Sequence, residues 1–339
     1  MIDDKDETEG VGKAMTDFYP LRLEPQLKEK VWGGRWLVEK LGRAGKVDAK
    51  LGESWEAFSG SVVANGAWQG QTLGKLYSEY GLALGGTVAQ NYPQFPLLVK
   101  FLDAQENLSV QIHPDDELAQ KLENYPFGKS EMWYVMAAEP GARILYSLND
   151  KANSQAELAA ALKNGSILEY INSVPVQTGD VVNLPARTVH ALCEGIVVYE
   201  LQQESDITYR LHDWGRTGRE IHHEKCLQAI DLANRNLQVT HPTLVKNEAG
   251  AAFFALAANQ YFDCNLLEIT GETSWSAEGR SFGLLSVLSG TGLLTVRDNG
   301  FEQEKLGLGD TFLLPAHLSY VFKATQPTEP LRLIMATAW

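Results

Sequence analysis

Residues 179–190 read GDVVNLPARTVH. A Gly-Asp pair precedes the apolar run Val181, Val182 and Leu184, Pro185 interrupts it, and His190 follows. Two upstream pieces belong with this one. In the strand-like run Ser109-Val110-Gln111-Ile112-His113, side chains two apart share a face, so Gln111 and His113 point one way and Val110 and Ile112 the other. In GKSEMWYV, a second apolar run from Met132 to Met136 begins with a carboxylate at Glu131. Gln111, His113, Glu131 and His190, on three candidate strands, form a four-donor set for a divalent metal, with imidazole and oxygen donors and no thiolate. Taken singly, each is an ordinary strand residue. Their combination points to a metal site.

The spacing Gly-x5-Pro-x4-His resembles the second motif of the cupin β-barrels, where the Gly-Asp turn and the proline set up a hairpin that aims a histidine into the barrel. Arg187 stands where that motif usually carries glycine. The resemblance narrows further. FPLLVKFLDAQENLSVQIHPDDELA, GKSEMWYV, LPARTVHAL and VYELQQESDITYRLHDWGR are similar to the type I mannose-6-phosphate isomerases, in particular the short bacterial form, and VWGG (31–34) and LGESWE (51–56) fit the same family. The similarity runs from about Pro20 to about Asp231.

That resemblance implies an aldose–ketose isomerase interconverting mannose 6-phosphate and fructose 6-phosphate through a cis-enediol. Such a reaction needs a base near both carbons and a group that stabilises charge developing on the substrate oxygens. It implies one Zn²⁺ per chain, or another divalent metal, held by Gln111, His113, Glu131 and His190. Lys129, two residues before Glu131 and expected on the same strand face, becomes a catalytic and substrate-binding candidate. Glu200, Asp206 and Arg210, spaced Glu-x5-Asp-x3-Arg, are further catalytic candidates, and Arg210, with its planar fork of donors, suits phosphate or sugar oxygens. Lys100, inside the apolar run Phe95–Leu102, is either a phosphate contact or part of a structural ion pair. Two other readings stand beside the isomerase: another cupin enzyme acting on a sugar phosphate, and a non-catalytic sugar-phosphate-binding cupin.

Composition suits a cytoplasmic metabolic enzyme. The chain has 339 residues, 44% of them hydrophobic and 21% charged, with a net charge of −14 that disfavours nucleic acid as a partner. Cys193, Cys226 and Cys264 are odd in number and far apart, as expected of thiols in a reducing compartment. No apolar run approaches 18 residues, so no membrane association is expected.

The fold class expected is mainly β with a few helices, arranged as two cupin-like β-barrel (jelly-roll) domains. Residues 1–17 read as a disordered acidic N-terminus, 18–238 as the metal-binding catalytic domain with helical insertions, and 239–339 as a C-terminal cupin-like domain. Helices are expected over Leu73–Leu84, from Pro114 to about Asn124, over Gln155–Lys163 behind a Ser154/Glu157 capping box, and over His223–Ala233. The second barrel rests on an internal repeat: Gly309–Tyr320 (GDTFLLPAHLSY) aligns with Gly179–His190, and Tyr320 falls where His190 stands. Leu284–Val296 reads as its first hairpin and lacks any His-x-His, so this barrel is expected to lack metal ligands, with Phe312, Leu314 and Val321 as core and interface residues. Arg297, Lys305 and His317 are its only candidates for a site, and they are scattered.

Overall fold

The computed structural model describes residues 18–43, 50–297, 300–326 and 328–339. The acidic segment 1–17 lies outside them. The chain divides into two compact units. One comprises Leu27–Ser54 and Val99–His241; the other comprises Met1–Gln26, Trp55–Leu98 and Pro242–Trp339. The unit holding the C-terminal third also includes 18–26 and 55–98, segments that the sequence reading assigns to the catalytic domain. Leu21 pairs with Leu313 and Leu23 with Val63, and both leucines are buried, so the strand Leu21–Glu24 bridges two strands of that unit's larger sheet.

In the unit built on Val99–His241, two antiparallel sheets face each other. Glu131–Ala138, Val181–Leu184 and Ile196–Gln203 lie in a six-stranded sheet, and Val110–Ile112, Arg143–Leu148, His190–Ala191 and Tyr209–His212 lie in a five-stranded one. Both sheets are open, where closed barrels were expected. Trp133 and Val135 from the first sheet meet Ile144 and Tyr146 from the second in one buried core. The period of two then places Glu131, two residues before Trp133, at the end of an inward-facing row. On the five-stranded sheet, Val110 and Ile112 pack outward against the helices Gln155–Asn164 and His223–Ala229, which turns Gln111 toward the space between the sheets. Each fully buried Leu or Ile in such a layer contributes roughly 1.5–3 kcal/mol, so the apolar alternation holds the polar residues in place.

The helices match their sequence signals closely. Gln155–Asn164 has the expected capping box and ends at Gly165 in the left-handed conformation. The helix expected from Pro114 is Asp116–Glu123, capped by Asp115, whose side chain accepts from the Leu118 amide. Leu73–Gly85 is kinked at Tyr80. The last helix stops at Ala229 rather than Ala233, because the Asp231 carboxylate takes up the Ala233 amide in a local turn.

The internal repeat is visible bond for bond. Gly179 and Gly309 have φ of 94° and 83°. The Asp180 carboxylate accepts from the Gln177 amide at 2.9 Å, and that of Asp310 from the Gly307 amide at 2.8 Å. Arg187, at the position where the motif usually has glycine, adopts φ 70°. Its amide donates to the His113 carbonyl, and its guanidinium to the Ala229 carbonyl and to Asp115, contacts that offset the 1–3 kcal/mol typical of such backbone strain.

One expectation about the second unit changes. Gly283–Ser289 and Gly292–Val296 do not pair as a hairpin; the first joins the eight-stranded sheet and the second the four-stranded sheet. Phe312, Leu314 and Tyr320 lie in the core between those sheets, while Val321 sits half-buried on the opposite face. Tyr320 is fully buried, and its hydroxyl donates to the Pro315 carbonyl at 2.7 Å. Tyr320→Ala is expected to cost about 3–5 kcal/mol in urea unfolding, and Tyr320→Phe about 1 kcal/mol through the lost hydrogen bond.

Candidate metal centre

Neighbouring strands assemble the centre by register. His190 and Arg210 flank Gln111 on its two sides, and Gln202 and Leu184 flank Glu131. Among the described residues, His113, Glu131 and His190 form one cluster of metal-ligand type, with one potential donor atom each, all within 4.8 Å of one another and buried. Glu131 Oε1 lies 3.1 Å from His190 Nε2 and 3.7 Å from His113 Nε2, and Gln111 Nε2 is 3.2 Å from His190 Nε2. Bonds of about 2.0–2.1 Å in a tetrahedron put ligand atoms roughly 3.3 Å apart, so the spacing fits a small divalent ion.

Tautomers support the same fit. His113 Nδ1 lies 2.8 Å from the Ile207 carbonyl and His190 Nδ1 3.0 Å from that of Thr188. Each ring therefore carries its proton on Nδ1 and turns the Nε2 lone pair inward, the arrangement that orients ligating histidines. Burial and the neighbouring Lys129 ammonium hold His113 neutral, well below its ordinary pKa. Burial works against ionisation of Glu131, but Lys129 and the histidines outweigh it, and its carboxyl stays well below the usual range.

Lys129 Nζ approaches Glu131 Oε2 to 2.9 Å, yet neither carboxylate oxygen receives an aligned hydrogen bond, and both are buried. A buried carboxylate with unused lone pairs, beside two inward-facing imidazole lone pairs, is a donor set that suits a cation.

Lys129 is not on the strand, which begins at Glu131; it sits in the preceding loop. That loop is clamped. The Lys129 amide donates to the Pro114 carbonyl, the Ser130 amide to Gln203, and Gly128 packs so tightly on the Asp115 backbone that a Cβ would lie 2.4 Å away. Burial disfavours the Lys129 ammonium, but Glu131 and Glu200 together raise its pKa above the ordinary lysine value.

A polar cavity of about 190 Å³ adjoins the cluster. Gln111 and Lys129 line it, as do Lys100, Glu200, Asp206 and Arg210, so the structure brings all six of these sequence candidates to one space. Lys100 Nζ lies 3.5 Å from Glu200 Oε1, and Trp133 Nε1 donates to Glu200 Oε2 at 2.8 Å. The Trp133 ring also packs edge-on against His190, at 5.4 Å between centroids. Arg210 Nε is buried without a hydrogen bond; burial and the nearby Arg219 lower its pKa.

Sequence reasoning missed Lys30, Glu53 and Arg219 on the cavity wall. Glu53 lies inside LGESWE and Lys30 just before VWGG, so the segments were recognised without their roles. Arg219 carried no signal; its guanidinium is held by the Asp213 carboxylate.

A family model described as phosphomannose isomerase type I, catalytic domain, matches residues 21–164. The mannose-6-phosphate isomerase of Streptococcus mutans is 34% identical over 305 residues, covering 87% of this chain and 92% of that protein. Bacillus subtilis ManA, also named a mannose-6-phosphate isomerase, is 34% identical over 307 residues, 87% of this chain and 93% of its own length. The chain belongs to the type I phosphomannose isomerase family. A crystal structure of the Bacillus subtilis mannose 6-phosphate isomerase superposes with a TM-score of 0.83 at 31% identity, over 94% of this chain and 99% of that one. A Salmonella typhimurium phosphomannose isomerase variant shares the fold, with a TM-score of 0.76 at 17% identity over 95% and 100% of the two chains. The cupin architecture expected from the Gly179–His190 motif is the one these isomerases have.

The protonation states set a pH dependence. His113 is held neutral in the folded chain, whereas an unfolded histidine takes up a proton below about pH 6.5. Glu131 is held ionised, whereas an unfolded glutamate protonates below about pH 4.3. Both raise proton uptake on unfolding, so urea unfolding of the metal-free protein is expected to show stability falling from pH 7 to pH 5, and further toward pH 4. Stability that stays flat over that range would contradict the neutral His113.

Proposed function

We propose that this protein is a metal-dependent aldose–ketose isomerase that interconverts mannose 6-phosphate and fructose 6-phosphate. The observation that carries the reading is a densely charged cavity beside the buried donor cluster. Lys30, Lys100, Lys129, Arg210 and Arg219 line it against Glu53, Glu200 and Asp206, in a chain whose net charge is −14. Lys30 pairs with Glu53, Lys100 with Glu200, Lys129 with Glu131 and Arg219 with Asp213, which leaves the Arg210 guanidinium as the cation on this wall best placed to meet an anionic substrate.

In this reading Gln111, His113, Glu131 and His190 hold one Zn²⁺, or another divalent metal of similar preference. Once bound, the ion would act as a Lewis acid toward the sugar oxygens. With two neutral imidazoles and one neutral amide against a single carboxylate, the site would keep a net charge of about +1. The Gln111 amide, turned half a turn about its terminal bond, would present its carbonyl oxygen to the ion.

Arg210 and Lys100, both on the cavity wall, would take the substrate's phosphate and hydroxyl oxygens. Lys129, Glu200 and Asp206 are the polar groups left to hold or move protons at the reacting carbons. The Trp133 indole fixes the Glu200 carboxylate while packing on His190, so the acid and the ligand ring are positioned by one side chain. A cytoplasmic location is part of the proposal. Cys193, Cys226 and Cys264 are all unpaired, and no described helix is long and apolar enough to cross a membrane.

Incubation with mannose 6-phosphate is expected to yield fructose 6-phosphate, and chelation to abolish the conversion until divalent metal is restored. Full activity in metal-free protein would refute the metal role. Arg210→Ala and Lys129→Ala are expected to lose roughly 10²–10⁴-fold in rate with metal still bound, whereas His190→Ala loses metal and rate together; metal content and rate on the same samples decide between these patterns. Free mannose is expected to be a much poorer substrate than its 6-phosphate, and equal kcat/KM for the two would remove the phosphate assignment.

A further inference from the structure

A second cavity, of about 340 Å³, lies wholly within the unit that contains the C-terminal third of the chain. It forms where the inward rows of two paired strands turn polar. Along Phe262–Ile269, Leu267 and Ile269 lie in the core between the sheets, and the same face continues outward through Asn265 and Asp263. On the neighbouring strand Leu331–Ala338, the row Leu331, Leu333 and Met335 is likewise core and ends at Thr337. Asp263 pairs directly with Thr337, and Asn265 with Met335. Adjacent inward positions therefore present a carboxylate, an amide and a hydroxyl to the cavity.

The indole of Trp275 lines the same space. It leans on the buried Tyr320, with centroids 5.9 Å apart, and crosses Gly283, where a Cβ would lie 2.7 Å from the ring. A side chain at residue 283 would displace it.

The polar groups keep capacity to spare. The Asp263 carboxylate accepts from the Asn265 amide group at 3.2 Å and from the Cys264 backbone, which leaves acceptor sites on a group with about four. Burial pushes its carboxyl above the ordinary value, as expected of a group set back from bulk water. Among the described residues the Asn265 Oδ1, the Thr337 hydroxyl and the Trp275 N–H make no hydrogen bond to protein, and none is sealed from the cavity.

We propose that this cavity is a second binding site, for a neutral, unphosphorylated monosaccharide. A sugar ring offers one C–H face to an indole and vicinal hydroxyls that both donate and accept, which matches a carboxylate beside an amide. Phosphate does not suit the cavity. Asp263 is the carboxylate on its wall and would repel a phosphate, while the one lining cation, Arg280, has a side chain 65% exposed and is shared with Glu278. The site therefore selects against phosphorylated sugars and can report on unphosphorylated ones. It also differs from the scattered Arg297, Lys305 and His317.

Isothermal titration of the full chain with D-mannose tests the assignment, run on wild type, Asp263→Ala, Asn265→Ala and Arg210→Ala, with thermal melts to establish folding. The expected result is saturable binding with a Kd in the millimolar range, as for a ligand of this size. It should persist in Arg210→Ala and weaken roughly tenfold or more in each of the other two variants. Absence of saturable binding, equal binding in the folded Asp263→Ala and Asn265→Ala proteins, or loss of binding in Arg210→Ala would each overturn it.

Discussion

The centre depends on one constraint: an ionised carboxylate, Glu131, held almost out of water with neither oxygen in an aligned hydrogen bond. A buried charge without compensation costs several kcal/mol. Lys129 supplies part of that compensation, at 2.9 Å and from a poor direction. The two imidazoles cannot supply the rest, because each has committed its proton to a backbone carbonyl and turns a lone pair toward the same point. The Glu131 carboxylate and the two imidazole lone pairs converge on one small space with Lys129 at its edge and the Gln111 amide nitrogen against His190, an arrangement that a bound cation would complete.

Electrostatics then divide the labour between two neighbouring spaces. The donor cluster is small, buried and anionic without its ion; the adjoining cavity is larger and densely charged. Lys129 and Gln111 belong to both. A charged ligand drawn by Arg210 is brought against the groups that face the cluster. An acidic chain achieves this locally, since a cation on low-dielectric walls sets the field that a ligand meets.

Much of this was legible in the sequence, for identifiable reasons. The alternation of Gln111 and His113 against Val110 and Ile112 carries its own geometry, because helices cover one face of that strand and the other has nowhere to point but inward. The Gly-Asp turn is equally explicit: its carboxylate-to-amide bond is local, and it recurs in both copies. What was not legible depends on long-range pairing. Nothing in Leu21–Glu24 announces a partner nearly three hundred residues away at Thr311–Leu314. The Gly290-Thr291-Gly292 turn reads as a hairpin, yet its strands go to different sheets. Arg219 reaches the cavity through Asp213, a contact set by a loop with no periodic signal. Lys129 was placed on a strand face because spacing was the only guide, and it meets Glu131 from a loop instead.

The two copies of the Gly-Asp motif show how such a fold separates packing from chemistry. In both units the middle of each inward row is apolar and holds the sheets together. The ends of the rows are released from that duty, since a residue there loses little packing when it becomes polar. Glu131 is such an end, two residues beyond Trp133; Asp263 and Asn265 are another, beyond Leu267. At the position of His190 the second copy has Tyr320, whose ring fills the core and whose hydroxyl is consumed by the Pro315 carbonyl. That exchange replaces a metal-facing lone pair with a sealed aromatic floor on which Trp275 can rest. A row-end carboxylate above imidazole lone pairs calls for a cation, whereas one above an aromatic floor calls for hydroxyl donors and a C–H face. Gly283 stands where Glu131 does, since Leu314 pairs with it as Leu184 pairs with Glu131, so the second copy lacks the carboxylate as well as the imidazole, and its polar row end lies on another strand, Phe262–Ile269.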